Sequence, residues 1–340
     1  MIEVRGLTKK YGSNLAVDNL SFNVGSGQVY GFLGPNGAGK STTMNIMTGC
    51  LAATSGQVII NGHDIFEEPI EAKRCIGYLP EIPPVYDDLT PYEYLNFVGK
   101  AKGLKGSDLK TGISEVCDKT GITDVSKRLI KNLSKGYRQR VGIAQAILGD
   151  PEIIILDEPT VGLDPIQIIE IRSLIKELGT NHTVILSSHI LSEVAAVCDE
   201  ILIISKGKLV ASDSPDNLSA AFSDEAIVTV QVRGGADNVK SVLDDLEGTK
   251  KVEVTLNSDG TVTAQVTTDA KLDLREKIFY AMQDAKMPVL TMTVAKASLE
   301  DVFLKLATDE IPADVQEKLK RGISSNISAY ADESSEGGED

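Results

Sequence analysis

The residues Gly34-Pro35-Asn36-Gly37-Ala38-Gly39-Lys40-Ser41 have the types and spacing of a phosphate-binding loop. Glycines let backbone N–H groups turn inward around a polyphosphate, and a following helix N-terminus adds partial positive charge at the same place. Lys40 would reach the β- and γ-phosphates, and the Ser41 hydroxyl would sit on Mg²⁺. The order of Gly34, Gly37 and Gly39 does not fit the GxGxxG of dinucleotide-binding folds.

This chemistry requires a strand before the loop and a helix after it. Gln28 to Leu33 is a short apolar run with strand character, and Ser41 to Thr48 lacks glycine and proline and reads as a helix. A second run, Ile153-Ile154-Ile155-Leu156, is of buried-strand type and ends in Asp157-Glu158. Neighbouring side chains on a strand point to opposite faces, so the two carboxylates can take different tasks. Asp157 is expected to hold Mg²⁺ through water and Glu158 to polarise an attacking water.

Between these stretches lies Leu133-Ser134-Lys135-Gly136-Tyr137, followed by Arg138-Gln139-Arg140. Gly162-Leu163-Asp164 and Ser187-Ser188-His189 come later. In this order and spacing the motifs resemble the ATP-binding subunits of ABC transporters, over about residues 1–215. The resemblance implies an α/β P-loop ATPase domain with a helical subdomain, and subunits that pair head to tail. Each ATP would lie between the phosphate loop of one subunit and the Ser134–Gly136 signature of the other. A single chain then holds half of each site, and hydrolysis requires a dimer.

The same resemblance implies roles residue by residue. Tyr11 stacks on adenine, and the loop from Gly34 to Lys40 holds the β- and γ-phosphates. Thr42 touches a phosphate oxygen, and Ser41 and Asp157 serve Mg²⁺. Glu158 is the general base, Asp164 links the two sites, and His189 contacts the γ-phosphate. Two places depart from the common pattern. Lys135 and Tyr137 replace glycine and glutamine in the signature, whereas Ser134 and Gly136 remain. Glu81, in Gly77-Tyr78-Leu79-Pro80-Glu81, stands where glutamine is usual. It keeps an oxygen for the metal or a water and loses an amide donor. Both variants resemble one bacterial exporter branch with drug, sodium, copper-related and gliding-machinery ATPases.

The remaining elements frame these motifs. Short strands at Met1–Leu7, Ala16–Val24 and Gln57–Ile60 come first. Thr90-Pro91-Tyr92-Glu93 has the form of a capping box opening a helix, and the helical subdomain is expected over about 82–150. Ser134 should cap a helix carrying Tyr137, Val141, Ala144 and Leu148, and Asp164 another carrying Ile168, Ile171, Ile175 and Leu178. From Ala226 the order is strand, helix, strand, strand, helix, strand, a ferredoxin-like βαββαβ plan. The expected division is 1–220 for the ATPase domain and 221–308 for a small α+β domain. The latter closes on an amphipathic helix, Leu299–Leu306, which also resembles the ending of the exporter branch. An acidic tail is expected to be disordered over 309–340.

Composition bounds the rest. The 340 residues carry 42% hydrophobic and 24% charged side chains, enough for two globular domains. The net charge is −15, and neither body nor tail offers a basic footprint, so nucleic acid is not an expected partner. Cys50, Cys75, Cys117 and Cys198 lack metal-ligand spacing and read as reduced thiols. His63 and His182 match no motif and read as surface residues. Nothing in the chain is apolar for about 18 residues, and the N-terminus lacks a signal region. The expected protein is a cytoplasmic ATPase subunit, peripheral on the inner face of the membrane. It would use ATP and Mg²⁺ as a homodimer or heterodimer and drive a membrane-spanning permease on a separate chain, with export as the direction. The alternative is a non-transport ABC ATPase acting in translation, repair or assembly. Against it stand the single ATPase half and the lack of a coiled-coil or zinc insertion.

Overall fold

The computed structural model describes residues 1–222, 225–269, 272–296 and 313–328. The chain divides into two units, Met1–Pro215 with Gln316 onward, and Asp216–Val315.

In the first unit the strands are β1 (Ile2–Tyr11), β2 (Asn14–Val24), β3 (Val29–Leu33), β4 (Ser55–Ile60), β5 (His63–Asp64), β6 (Ile76–Leu79), β7 (Ile153–Leu156), β8 (Thr183–Ser188), β9 (Glu200–Ser205) and β10 (Lys208–Asp213). The helices are α1 (Lys40–Met47), α2 (Pro69–Arg74), α3 (Pro91–Ala101), α4 (Gly106–Lys119), α5 (Lys135–Ile147), α6 (Pro165–Gly179) and α7 (Leu191–Ala195). One sheet has the order β10-β9-β3-β8-β7-β6, and the other β2-β1-β4-β5. β3, β6, β7, β8 and β9 run parallel to their neighbours, with only β10 antiparallel at the edge. Parallel strands buried on both faces read as continuous apolar runs, and all four residues of β7 and all six of β8 are buried. Phe22 and Phe32 meet edge to face at 5.1 Å in the core shared by both sheets. The crossovers of a parallel sheet leave its strands' C-terminal ends clear, and β3, β7 and β8 all end on the same side.

The helical region is built by local signals. Thr90 and Glu93 form the capping box of α3, with Pro91 in its first turn. The Ser134 hydroxyl accepts from Tyr137 N–H at the start of α5, and the Asp164 carboxylate accepts from Gln167 N–H at the start of α6. At the other end of α5, Lys102 Nζ donates to the carbonyls of Gln145, Ala146 and Leu148 at 2.7–3.0 Å. Burial pushes this ammonium down to about 8.

In the second unit, β11 (Glu225–Val232), α9 (Ala236–Asp244), β12 (Thr249–Leu256), β13 (Val262–Asp269), α10 (Arg275–Asp284) and β14 (Val289–Lys296) follow α8 (Pro215–Phe222). The sheet order is β12-β13-β11-β14, antiparallel throughout. Strand alternation explains its core: Val262, Ala264 and Val266 are buried, while Thr263, Gln265 and Thr267 face away. The expected helix at 299–306 lies outside the described residues.

Two expectations are corrected. His182 is buried, with Nδ1 2.8 Å from Pro151 O, because it follows α6 into β8, beneath the surface. Within the stretch 309–340 expected to be disordered, Ala313–Ser328 forms a helix; residues 309–312 and 329–340 lie outside the described residues. Composition averaged over the acidic end hid apolar residues at Leu319, Ile323 and Ile327, at helical spacing. Leu319 is buried, and a Cβ at Gly322 would lie 2.5 Å from Ser212 O, so glycine permits the close approach. Asn326 then pairs with the backbone of β2. Asn23 N–H donates to its Oδ1 at 2.9 Å, and its Nδ2 donates to Asn23 O at 3.0 Å. Asn326→Ala is expected to cost about 1–3 kcal/mol by leaving both groups unpaired. Hydrogen exchange should report faster exchange at Asn23 and along 316–328; unchanged exchange there would refute the docking role.

Candidate active site

A cavity of about 580 Å³ opens at the C-terminal ends of β3, β7 and β8. It is lined by Tyr11, Asn36, Gly37, Gly39, Lys40, Ser41, Thr42, Glu81, Glu158 and His189, with Asn14 and Ala16 of β2 beside Tyr11. Residues from five distant stretches thus meet at one place. Gly34, Pro35 and Ala38 form the base of the loop around it. A Cβ at Gly34 would fall 2.3 Å from Ile204 O, and Gly39 has φ +107° with a Cβ position 2.6 Å from Ala16 O. Only glycine lets the loop sit this close to β9 and β2.

The polar side chains interlock. Lys40 is 6% exposed, and its Nζ donates to Gly34 O at 2.8 Å and lies 3.8 Å from Glu158 Oε1. Burial holds its ammonium below the usual lysine value, opposed by the nearby Glu158 and Asp157 carboxylates. Ser41 Oγ donates to Asp157 Oδ1 at 3.2 Å, and Asp157 is 2% exposed at the tip of β7. Glu158 has φ +48°, rare for a non-glycine residue. Its Oε2 is 3.0 Å from His189 Nδ1. Tyr11 is 49% exposed, with Lys9 Nζ 5.2 Å from its ring centroid, a surface on which a flat base can stack.

Lys40 faces Glu81 and Glu158 in the lining of the cavity, and Asp157 lies buried beside Ser41. A polyphosphate entering alone would meet net repulsion, so the site suits a nucleotide that brings a divalent cation. Among the described residues no three His, Cys, Asp or Glu side chains are grouped to hold a metal ion. Ser41 and Asp157 offer hard oxygens side by side, and Mg²⁺ commonly takes one or two carboxylates and completes its shell with phosphate and water. The donor set fits that ion.

Ser134, Gly136 and Asp164 do not line this cavity. Glu81 belongs to it and also to a groove of about 690 Å³ with Ile82, Pro83, Val85, Leu133, Lys135 and Arg138. Further side chains brace the loops, with contacts that the motifs themselves do not give. Ser187 bridges Asp157 and Glu158. The buried Glu193 carboxylate accepts from Thr160 and from Ser188 Oγ (3.5 Å), and lies 3.8 Å from Arg172. Tyr78, just before Glu81, donates to Asn45 Oδ1 at 3.3 Å. The one sequence signal for Ser187 is a serine pair closing the apolar run Val184-Ile185-Leu186 just before His189.

Comparison with known proteins agrees with this geometry. The ABC transporter family model matches residues 17–161. The bacitracin transport ATP-binding protein BcrA of Bacillus licheniformis is 38% identical over 308 residues, covering 90% of this chain and 97% of that protein. An uncharacterized ABC transporter ATP-binding protein of Bacillus subtilis, YhcH, is 37% identical over 319 residues, covering 93% and 98%. Among solved structures, an ATP-binding subunit of an ABC transporter has a TM-score of 0.60 at 30% identity, covering 65% of this chain and 93% of its own. A dimeric ATP-binding cassette in a post-hydrolysis state with ADP and Pi has a TM-score of 0.58 at 25% identity, covering 63% and 98%. The chain belongs to the ATP-binding proteins of ABC transporters. It is an ATPase that uses ATP with Mg²⁺.

Proposed function

We propose that this chain energises a separate membrane permease for export, as a dimer that encloses two ATP molecules. The observation that carries the reading is the split site. The phosphate loop, Glu158 and His189 line one cavity, with Asp157 hydrogen-bonded to Ser41 beside it, whereas the signature pair Ser134 and Gly136 lies outside it. The signature needs a second subunit to meet a nucleotide. The relative named for bacitracin transport supports the export direction.

In this reading Tyr11 carries the adenine. The loop from Gly34 to Gly39, with Lys40 and Thr42, holds the phosphates. Lys40 leaves the Gly34 carbonyl for a phosphate oxygen. Ser41, Asp157 and Glu81 would hold Mg²⁺ directly or through water, and the ion would neutralise phosphate charge. Glu158 orients and deprotonates the attacking water, and His189, already hydrogen-bonded to Glu158, meets the γ-phosphate. Asp164 caps α6 and links the two sites across the dimer. Catalysis is then mainly positioning and charge stabilisation.

The permease would dock at the groove beside Glu81 and along the helical region to about residue 130. Ile82 is 81% exposed there, and Tyr86 and Phe97 pack edge to face with half their surface open, an uncovered apolar area of the kind partners use. No described helix is long and apolar enough to cross a membrane. As the subunit that energises a permease, the chain would sit on the cytoplasmic face beside it. The sheet order of the second unit, with its βαββαβ sequence, supports a ferredoxin-like C-terminal domain over about 221–308.

The test is a pull-down of tagged Glu158→Gln chain with ATP from detergent-solubilised membranes of its source cell. One multi-span protein in stoichiometric amount is expected. Recovery of ribosomal, DNA-bound or purely soluble partners would overturn the transport reading and leave the ATPase chemistry standing.

A further inference from the structure

Ser187 is fully buried near the end of β8, two residues before His189. β7 and β8 pair in parallel with Leu156 beside Leu186, so Asp157 and Ser187 are the next residues along the two strands. Ser187 Oγ donates to Asp157 Oδ1 at 2.5 Å and accepts from Glu158 N–H at 2.8 Å. One hydroxyl therefore serves as donor to one carboxylate and acceptor for the backbone of the other residue. Ser188 cannot replace it. The adjacent side chain points to the opposite face, where Ser188 Oγ accepts from Ile190 N–H and reaches Glu193.

The two bonds act on the two features that make the acidic pair usable. Asp157 Oδ1 also accepts from Ser41 Oγ, so two hydroxyls on different elements set the plane of that carboxylate. Glu158 sits at φ +48°, a conformation that persists only when its surroundings hold it. The bond from its N–H to Ser187 is such a hold. Its side chain then reaches both His189 and Lys40.

We propose that Ser187 is a positioning residue for ATP hydrolysis. It orients Asp157 toward the cation shared with Ser41 and fixes the Glu158 backbone so that the carboxylate faces the γ-phosphate position. This rests on the reading of Asp157 as cation ligand and Glu158 as base. Partners that orient metal ligands typically contribute about 10- to 100-fold in metal affinity or activity.

The experiment is steady-state ATP hydrolysis by the full chain, titrated with Mg²⁺, for wild type, Ser187→Ala, Ser187→Thr and Glu158→Gln. For Ser187→Ala, kcat is expected to fall about 10- to 100-fold and half-saturating Mg²⁺ to rise about 10-fold. Binding of ATP without Mg²⁺ should stay as in wild type, and Ser187→Thr, which keeps the hydroxyl, should return kcat and Mg²⁺ requirement toward wild-type values. If the alanine variant does not fold, Ser187→Cys takes its place, nearly isosteric with a weak donor, and the same losses are expected. An alanine or cysteine variant that melts earlier but keeps wild-type kcat and Mg²⁺ requirement overturns the proposal. Normal hydrolysis by Glu158→Gln instead overturns the reading of Glu158 as base, and the Mg²⁺ arm still tests Ser187 against Asp157.

Discussion

Glu158→Gln is expected to slow ATP hydrolysis about 10²–10⁴-fold, the scale of general-base catalysis, while ATP binding is retained. The amide is nearly isosteric, so the backbone at φ +48° and the bond from its N–H to Ser187 are kept. What is lost is the ability to take a proton, together with the acceptor at Oε2 that lies 3.0 Å from His189 Nδ1. The flip of an amide can restore one contact to His189 or Lys40, not the basicity. Removing one negative charge near the phosphates also favours nucleotide binding, so the variant should accumulate with ATP in place. Single-turnover hydrolysis with a parallel binding measurement separates the two effects. Turnover within a few-fold of wild type would remove Glu158 from the role.

Lys40→Ala is expected to weaken ATP binding about 10- to 100-fold, from the loss of charge-assisted contacts that contribute about 1.5–3 kcal/mol. Lys40 is the only cationic side chain in the loop, and it lies buried among carboxylates. Its ammonium donates to the Gly34 carbonyl at 2.8 Å, which holds it inside the loop. Burial already disfavours the charged form, and Glu158 and Asp157 offset that cost. Alanine would leave the acids unopposed, and the repulsion toward a polyphosphate would grow. Calorimetric titration with Mg²⁺ and ATP gives the affinity directly; an unchanged dissociation constant would refute the role. Arginine at this position is not expected to rescue, because its planar fork does not fit the space of a point-charge ammonium.

Much of the site could be read from the chain because its chemistry is carried by contiguous stretches. The phosphate loop is defined by glycines placed where the backbone must turn, and Gly39 at φ +107° is such a place. The caps at Thr90, Ser134 and Asp164 act on N–H groups three residues away, so spacing alone predicts them, and each side chain makes the expected bond. The apolar run at Ile153–Leu156 declared a buried strand, and a strand's end is where its next residues, Asp157 and Glu158, emerge. Alternation did the same for Val262, Ala264 and Val266.

Other features depend on residues that meet only when distant strands and helices pack. Ser187 stands in the chain only as part of the Ser187-Ser188-His189 motif, and its bonding role comes from β7 lying beside β8, an adjacency no local pattern encodes. The same holds for Glu193, whose partners Thr160, Ser188 and Arg172 come from three segments. His182 seemed a surface residue because nothing near it in sequence buries it, whereas Pro151 O does. The helix at 313–328 was masked by the acidic composition around it, and its place is set by Asn326 meeting Asn23, 303 residues away. Periodicity and caps are short-range and leave their record in spacing. Long-range hydrogen bonds are paired by the sheet order and the packing of the core, so the tertiary structure alone decides which buried polar groups find each other.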